Sequence, residues 1–220
     1  SAKRAINAIE RIAAEEKQKI IQRNRHGCLP KLAYISPLPP ERSGIADYSA
    51  ELLPELAKHY AIEVIVAQDE VTDSWIRKTC QIRSVDWFKE NLAHYDRILY
   101  HFGNSAFHQH MFSLLKAYPG VVVLHDFYLS GILHYMEVLD YAPRPFKREL
   151  YHSHGYVALD DHQQCKDVAD VIWKYPCSLS VVKNSLGLIV HSPHSLHLAK
   201  KWYGQEENAW ATIPLLRNPV

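Results

Sequence analysis

The stretch Lys31-Leu32-Ala33-Tyr34-Ile35-Ser36-Pro37-Leu38-Pro39-Pro40-Glu41-Arg42-Ser43-Gly44-Ile45-Ala46-Asp47-Tyr48-Ser49 decides the fold. Its apolar run from Leu32 to Ile35 has the length of a short buried strand. Prolines 37, 39 and 40 then stiffen a loop, which turns at Gly44 into an amphipathic helix predicted over 45–59. Such a junction presents backbone N–H groups and a helix N-terminus to an anionic ligand. A lone glycine there is equally an ordinary connection, so the reading depends on what else in the chain repeats the pattern.

Outward from this junction, apolar strand-length runs alternate with helical patterns. Strands are predicted over 32–35, 62–66, 98–101, 121–124 and 188–191, with a weaker one over 80–84. Helices are predicted over 45–59, 87–93, 106–117 and 195–203. The middle, 128–184, lacks strand runs and reads as helical, broken by Pro143 and Pro145, with Asp160-Asp161 starting a helix that runs through Trp173. Strand–helix alternation predicts an α/β fold: a Rossmann-like, doubly wound parallel sheet with helices on both faces. Sheets of this kind bind ligands at the carboxyl ends of their strands.

Ahead of the domain, 2–25 lacks Pro and Gly and carries seven Lys/Arg against three Glu, with Ile6, Ile9, Ala13 and Ile20 on one helical face. The division expected is therefore a basic amphipathic helix and linker over 1–30 and one domain over 31–220. The helix either docks on its own domain or leads from an upstream one; helices of this kind also bind anionic lipid, a peripheral contact at an inner membrane surface.

Composition narrows the classes. Hydrophobic residues make up 47% and charged residues 22% of the 220, as in ordinary globular domains. The net charge of +1 gives no global field for nucleic acid. Cys28, Cys80, Cys165 and Cys177 form no Cys-x-x-Cys pair and read as reduced thiols of a cytoplasmic protein. No run approaches a membrane span. The 14 histidines include His108-x-His110, His152-x-His154 and His191…His194…His197. These are weak metal spacings without a carboxylate partner pattern, so no metal site is expected.

Four polar strand ends share one predicted edge: Ser43-Gly44 after the first strand, His101-Phe102-Gly103-Asn104-Ser105, His125-Asp126 and His191-Ser192-Pro193. Singly, Ser105, Asp126 and Ser192 read as helix caps; together they outline a cleft. With Ile35-Ser36-Pro37-Leu38-Pro39-Pro40, Ser43-Gly44-Ile45-Ala46-Asp47-Tyr48, Tyr100-His101-Phe102-Gly103-Asn104-Ser105, Val122-Val123-Leu124-His125-Asp126 and Gly187-Leu188-Ile189-Val190-His191-Ser192, the chain resembles the N-terminal half of GT-B glycosyltransferases, specifically retaining family 4.

The resemblance covers 31–220. It implies an acceptor-side domain facing a second, donor-binding domain that is expected after the extended, proline-punctuated end of the chain. It further implies transfer of a hexosyl-type sugar from a nucleotide-sugar to a glycan, lipid-linked or small-molecule acceptor, with retention, without a cofactor or bound metal. Carried over by position, His125 faces the transferred sugar, with Asp126 beside it. Gly44 approaches the donor phosphates and the acceptor, with Ser43 where relatives carry a second glycine. Asn104 and Ser105 touch acceptor or nucleotide. The domain alone is expected not to turn over. Two other readings stay open: a non-catalytic Rossmann-like binding or assembly module, because fold does not fix function, and a metal-dependent hydrolase.

Overall fold

The computed structural model describes residues 29–204 and 209–215; the basic helix predicted over 2–25 lies outside them. Among the described residues, seven strands form one all-parallel sheet. They are β1 (Lys31–Ile35), β2 (Ala61–Val66), β3 (Gln81–Ser84), β4 (Arg97–Phe102), β5 (Val121–Leu124), β6 (Gly187–Val190) and β7 (Ala209–Thr212), in the order β3-β2-β1-β4-β5-β6-β7. The chain winds outward from β1 to β3, then returns to the other side of β1 and winds the opposite way. The strand order therefore reverses between β1 and β4, where an open α/β sheet forms its crevice.

Side-chain alternation separates two cores. Leu32, Tyr34, Ile62, Val64 and Val66 point to one face, where they pack with Leu53 and Ile76. Ala33, Ile35, Ile65, Tyr100, Phe102, Val122 and Leu124 point to the other, against Met111, Leu114, Ile132, Phe146 and Leu150. The period of two in each strand thus serves two apolar layers, and this is why the strands read as continuous apolar runs.

The helices on these layers are α1 (Gly44–Leu56), α2 (Ser74–Thr79), α3 (Val85–Glu90), α4 (Met111–Ala117), α5 (Ser130–Val138), α6 (Pro145–His154), α7 (Tyr156–Gln164), α8 (Val168–Lys174), α9 (Leu179–Asn184) and α10 (Pro193–Tyr203). None is long and apolar enough to cross a membrane.

At the end of the sheet away from the crevice, buried Glu63 of β2 accepts from Lys31 Nζ at 2.6 Å, Tyr95 Oη at 2.9 Å and Arg83 Nε at 3.1 Å. Burial pushes its pKa up, but the hydrogen bonds from Lys31, Tyr95 and Arg83 outweigh it and hold the carboxyl below its ordinary value. The three strands of that half, β1, β2 and the edge strand β3, are tied together there.

Two local expectations are corrected, and two elements went unpredicted. Asp160-Asp161 does not start a helix running through Trp173: α7 begins at Tyr156, after Gly155 at φ 74°, and ends at Gln164. Asp167 then caps a separate helix, α8, by accepting from Ala169 N at 2.9 Å. Asp161 instead accepts from Lys174 Nζ at 2.5 Å and Tyr175 Oη at 2.6 Å, holding α7 to α8. The helix expected over 106–117 divides into a 3₁₀ turn, Ala106–His108, and α4. The edge strand β7 and helix α2 carried too few apolar residues to stand out; β7 buries only part of Trp210.

Candidate functional site

The crevice opens as a cleft of about 920 Å³. Ser43, Gly44, Asn104, Ser105, His125 and Asp126, the six residues singled out from sequence, all line it, together with Tyr48 and His191. They arrive from four different connections, after β1, β4, β5 and β6.

Ser43 has extended backbone and caps α1, its Oγ accepting from Ile45 N at 3.2 Å. Its hydroxyl is thereby committed to the helix. A Cβ built on Gly44 meets nothing within 4 Å, so the fold itself does not demand glycine at this position. The demand falls on Gly103 instead. A Cβ there would lie 2.3 Å from Ile45 Cδ1, 3.1 Å from His108 Cε1 and 3.2 Å from Asp126 Oδ2. The missing side chain lets the first turn of α1 close onto the end of β4.

Asn104 and Asp126 join the cleft wall to the helical layer. Asn104 N donates to Asp126 Oδ2 at 2.8 Å, and Asn104 Oδ1 accepts from Ile132 N at 2.8 Å, in the first turn of α5. Leu129, the residue before α5, gives that helix no side-chain cap. Asn104 supplies one from 28 residues upstream. Ser105 lies against buried His108, whose Nδ1 is 3.0 Å from the serine Oγ and 3.2 Å from its carbonyl oxygen. Burial pushes the His108 pKa down to about 4.

The cleft floor carries a feature absent from the sequence-based set. His101 Nδ1 lies 3.0 Å from His125 Nε2, His125 Nδ1 lies 3.1 Å from His191 Nε2, and His191 Nδ1 lies 2.9 Å from the Ile213 carbonyl oxygen. The three imidazoles thus run across the ends of β4, β5 and β6 to the residue after β7. Tyr48 of α1 covers all three, with ring centroids 5.9, 5.2 and 5.5 Å from His101, His125 and His191. Burial, then repulsion from neighbouring histidines, holds His101 well below the ordinary imidazole pKa and His125 down to about 3. The signal for His101 and His191 was the repetition of histidine at the ends of adjacent strands: Leu124 pairs with Val190, which sets His125 beside His191.

Asp47, Glu51, Asp73 and Asp126 are the carboxylates around the cleft, and no Lys or Arg lines it among the described residues. No group of three or more His, Cys, Asp or Glu is arranged to hold a metal ion among those residues. Cys80, Cys165 and Cys177 are free thiols. Burial raises the pKa of Cys80 to about 11 and of Cys177 to about 12, which suits packing and not nucleophilic attack. No protein-family model matches the chain, and no curated protein matches it either.

Proposed function

We propose that this domain is the acceptor-side half of a retaining, GT-B-type sugar transferase of the family 4 kind. The observation that supports it most is the convergence of Ser43, Gly44, Asn104, Ser105, His125 and Asp126 on one cleft at the reversal of strand order. The electrostatics fit the acceptor side. A cleft lined by carboxylates and the uncharged His125 imidazole, with no Lys or Arg among the described residues, receives a neutral, hydroxylated ring more readily than a diphosphate, whose charge calls for cations. In this reading the cations come from an opposing donor-binding domain, and the present domain supplies position: Tyr48 and His125 as ring faces, the α1 N-terminus near the departing phosphate, Asp126 and Asn104 as the wall.

The chemistry then needs no enzymatic nucleophile. The nucleoside diphosphate leaves from the same face on which the acceptor hydroxyl attacks, and it takes the hydroxyl proton.

The test is a thermal-shift panel of nucleotide-sugars on the full-length protein, followed by release of nucleoside diphosphate and NMR of the product anomer. One base and sugar combination should raise Tm and support transfer with retention. If no nucleotide-sugar shifts Tm or turns over, the transferase reading fails and a non-catalytic binding module takes its place.

A further inference from the structure

With the row intact, His125 has no ring nitrogen to offer a ligand, because Nε2 faces His101 and Nδ1 faces His191. The direction of these bonds follows from the far end. A backbone carbonyl only accepts, so His191 Nδ1 carries a proton toward Ile213 O. An uncharged imidazole has one N–H, so His191 Nε2 is a lone pair and accepts from His125 Nδ1. By the same step His125 Nε2 accepts from His101 Nδ1. The remaining nitrogen, His101 Nε2, is left as a lone pair, and it is buried with no hydrogen-bond partner.

Reversing the row would set a lone pair of His191 against the lone pairs of the Ile213 carbonyl. Adding a proton would place an N–H at His101 Nε2, which is fully buried and where nothing accepts it. The groups that face the row do not offset its charge. Tyr34 of β1 lies 4.6 Å from His101 between ring centroids, Tyr48 covers the row, and burial raises the pKa of both phenols. His108 adds repulsion, and the Asp126 carboxylate, which accepts from Asn104 N, acts on His108 and on neither His101 nor His125.

We propose that His101 and His191 are positioning residues for His125, locking all three rings in the Nδ1–H form so that the cleft floor is an uncharged aromatic platform and His125 gives a ligand its ring face or C–H edge but no proton. What this means for a ligand rests on the transferase reading of the cleft; the lock is a property of the fold.

The experiment is two-bond ¹H–¹⁵N correlation of the ¹⁵N-labelled chain between pH 6 and 8, which separates protonated nitrogens from lone pairs. In the wild type, all three rings should show Nδ1–H and stay uncharged across the range. His191→Ala should convert His125 to a mixture of tautomers and raise its titration midpoint. His191→Gln should restore Nδ1–H at His125, since its amide can donate to Ile213 O and its carbonyl can accept from His125. The proposal is overturned by an Nε2–H form of His125 in the wild type, by charge on the row at pH 7, or by a His125 signal that His191→Ala leaves unmoved. If His191→Ala does not fold, loss of the Nδ1–H form in His191→Gln overturns it instead. These spectra do not depend on turnover: failure to transfer sugar removes the transferase reading and leaves the lock standing, and the reverse also holds.

Discussion

Gly44 in the cleft and Gly103 packed beneath α1 do opposite work. Gly44 faces open space, so Gly44→Ala should preserve the fold and raise stability by up to about 1 kcal/mol, because alanine loses less entropy in a helix. If the α1 N-terminus approaches a ligand, the same methyl group should weaken binding or kcat/KM at least tenfold with Tm undiminished; unchanged kinetics would remove Gly44 from the site. Gly103→Ala should cost about 1–3 kcal/mol by overpacking against Ile45, His108 and Asp126, measurable by urea unfolding. The sequence pointed to Gly44 because a glycine opening a helix after a proline-rich loop is conspicuous. Gly103 was hidden: its need arises from a helix 58 residues earlier packing onto β4, a contact that local pattern does not encode.

Among the elements, α1 and α5 depend on partners distant in sequence. Tyr34 Oη donates to Ser49 Oγ at 3.0 Å, Ser49 Oγ lies 2.8 Å from Ser36 Oγ, and Ser36 Oγ donates to the Pro37 carbonyl at 3.0 Å. This buried series holds α1 against β1 and so keeps Tyr48 over the imidazoles. Helix α5 takes its cap from Asn104, so Asn104→Ala should destabilise by about 1 kcal/mol. Faster hydrogen exchange in the first turn of α5 would check this, and unchanged exchange at Ile132 would contradict it. In the sheet, Glu63→Ala should cost about 2 kcal/mol. Removing one member of a buried ion cluster costs more in general, but the Lys31 and Arg83 side chains are each about a third exposed and regain water. Chemical denaturation of Glu63→Ala beside the wild type measures it.

The molecule as a whole should be acid-labile. His101 and His108 are buried and His110 and His125 half-buried, all four uncharged, with pKa values lowered first of all by burial, His108 and His110 to about 4 and His125 to about 3. Their unfolded counterparts take up protons below about pH 6.5. Between those limits the unfolded chain binds protons that the native one does not. Stability is therefore full above about pH 6.5 and falls as pH drops, by about 1.4 kcal/mol per unit for each histidine and about 5 kcal/mol per unit for the four. Against a typical stability of 5–15 kcal/mol, the acid midpoint should fall between about pH 4 and 5.5. A urea midpoint independent of pH from 7 to 5 would contradict the burial of these side chains.

At this scale the sequence was most legible. Five doubly covered strands and their helical connections announced a parallel sheet, because burial on both faces leaves continuous apolar runs that survive without tertiary information. The edge strand β7 escaped because Ala209, Ala211 and Thr212 are exposed and carry no such run. The six cleft residues were legible as polar strand ends. The histidine row was not, since it exists only once register has set His125 beside His191 and brought Ile213 to the end of both.

That last carbonyl gives β7 a reach beyond its size. Ile213 N donates to Val190 O while its own oxygen accepts from His191 Nδ1, so both of its polar groups depend on how β7 is seated on β6. A slip of one residue would turn that oxygen away, and the row would lose the acceptor that sets the orientation of its three N–H bonds. The seating of the outermost strand is thus recorded as a compass setting in rings up to three strands inward. Imidazole nitrogen spectra of the cleft would double as a gauge of edge-strand alignment.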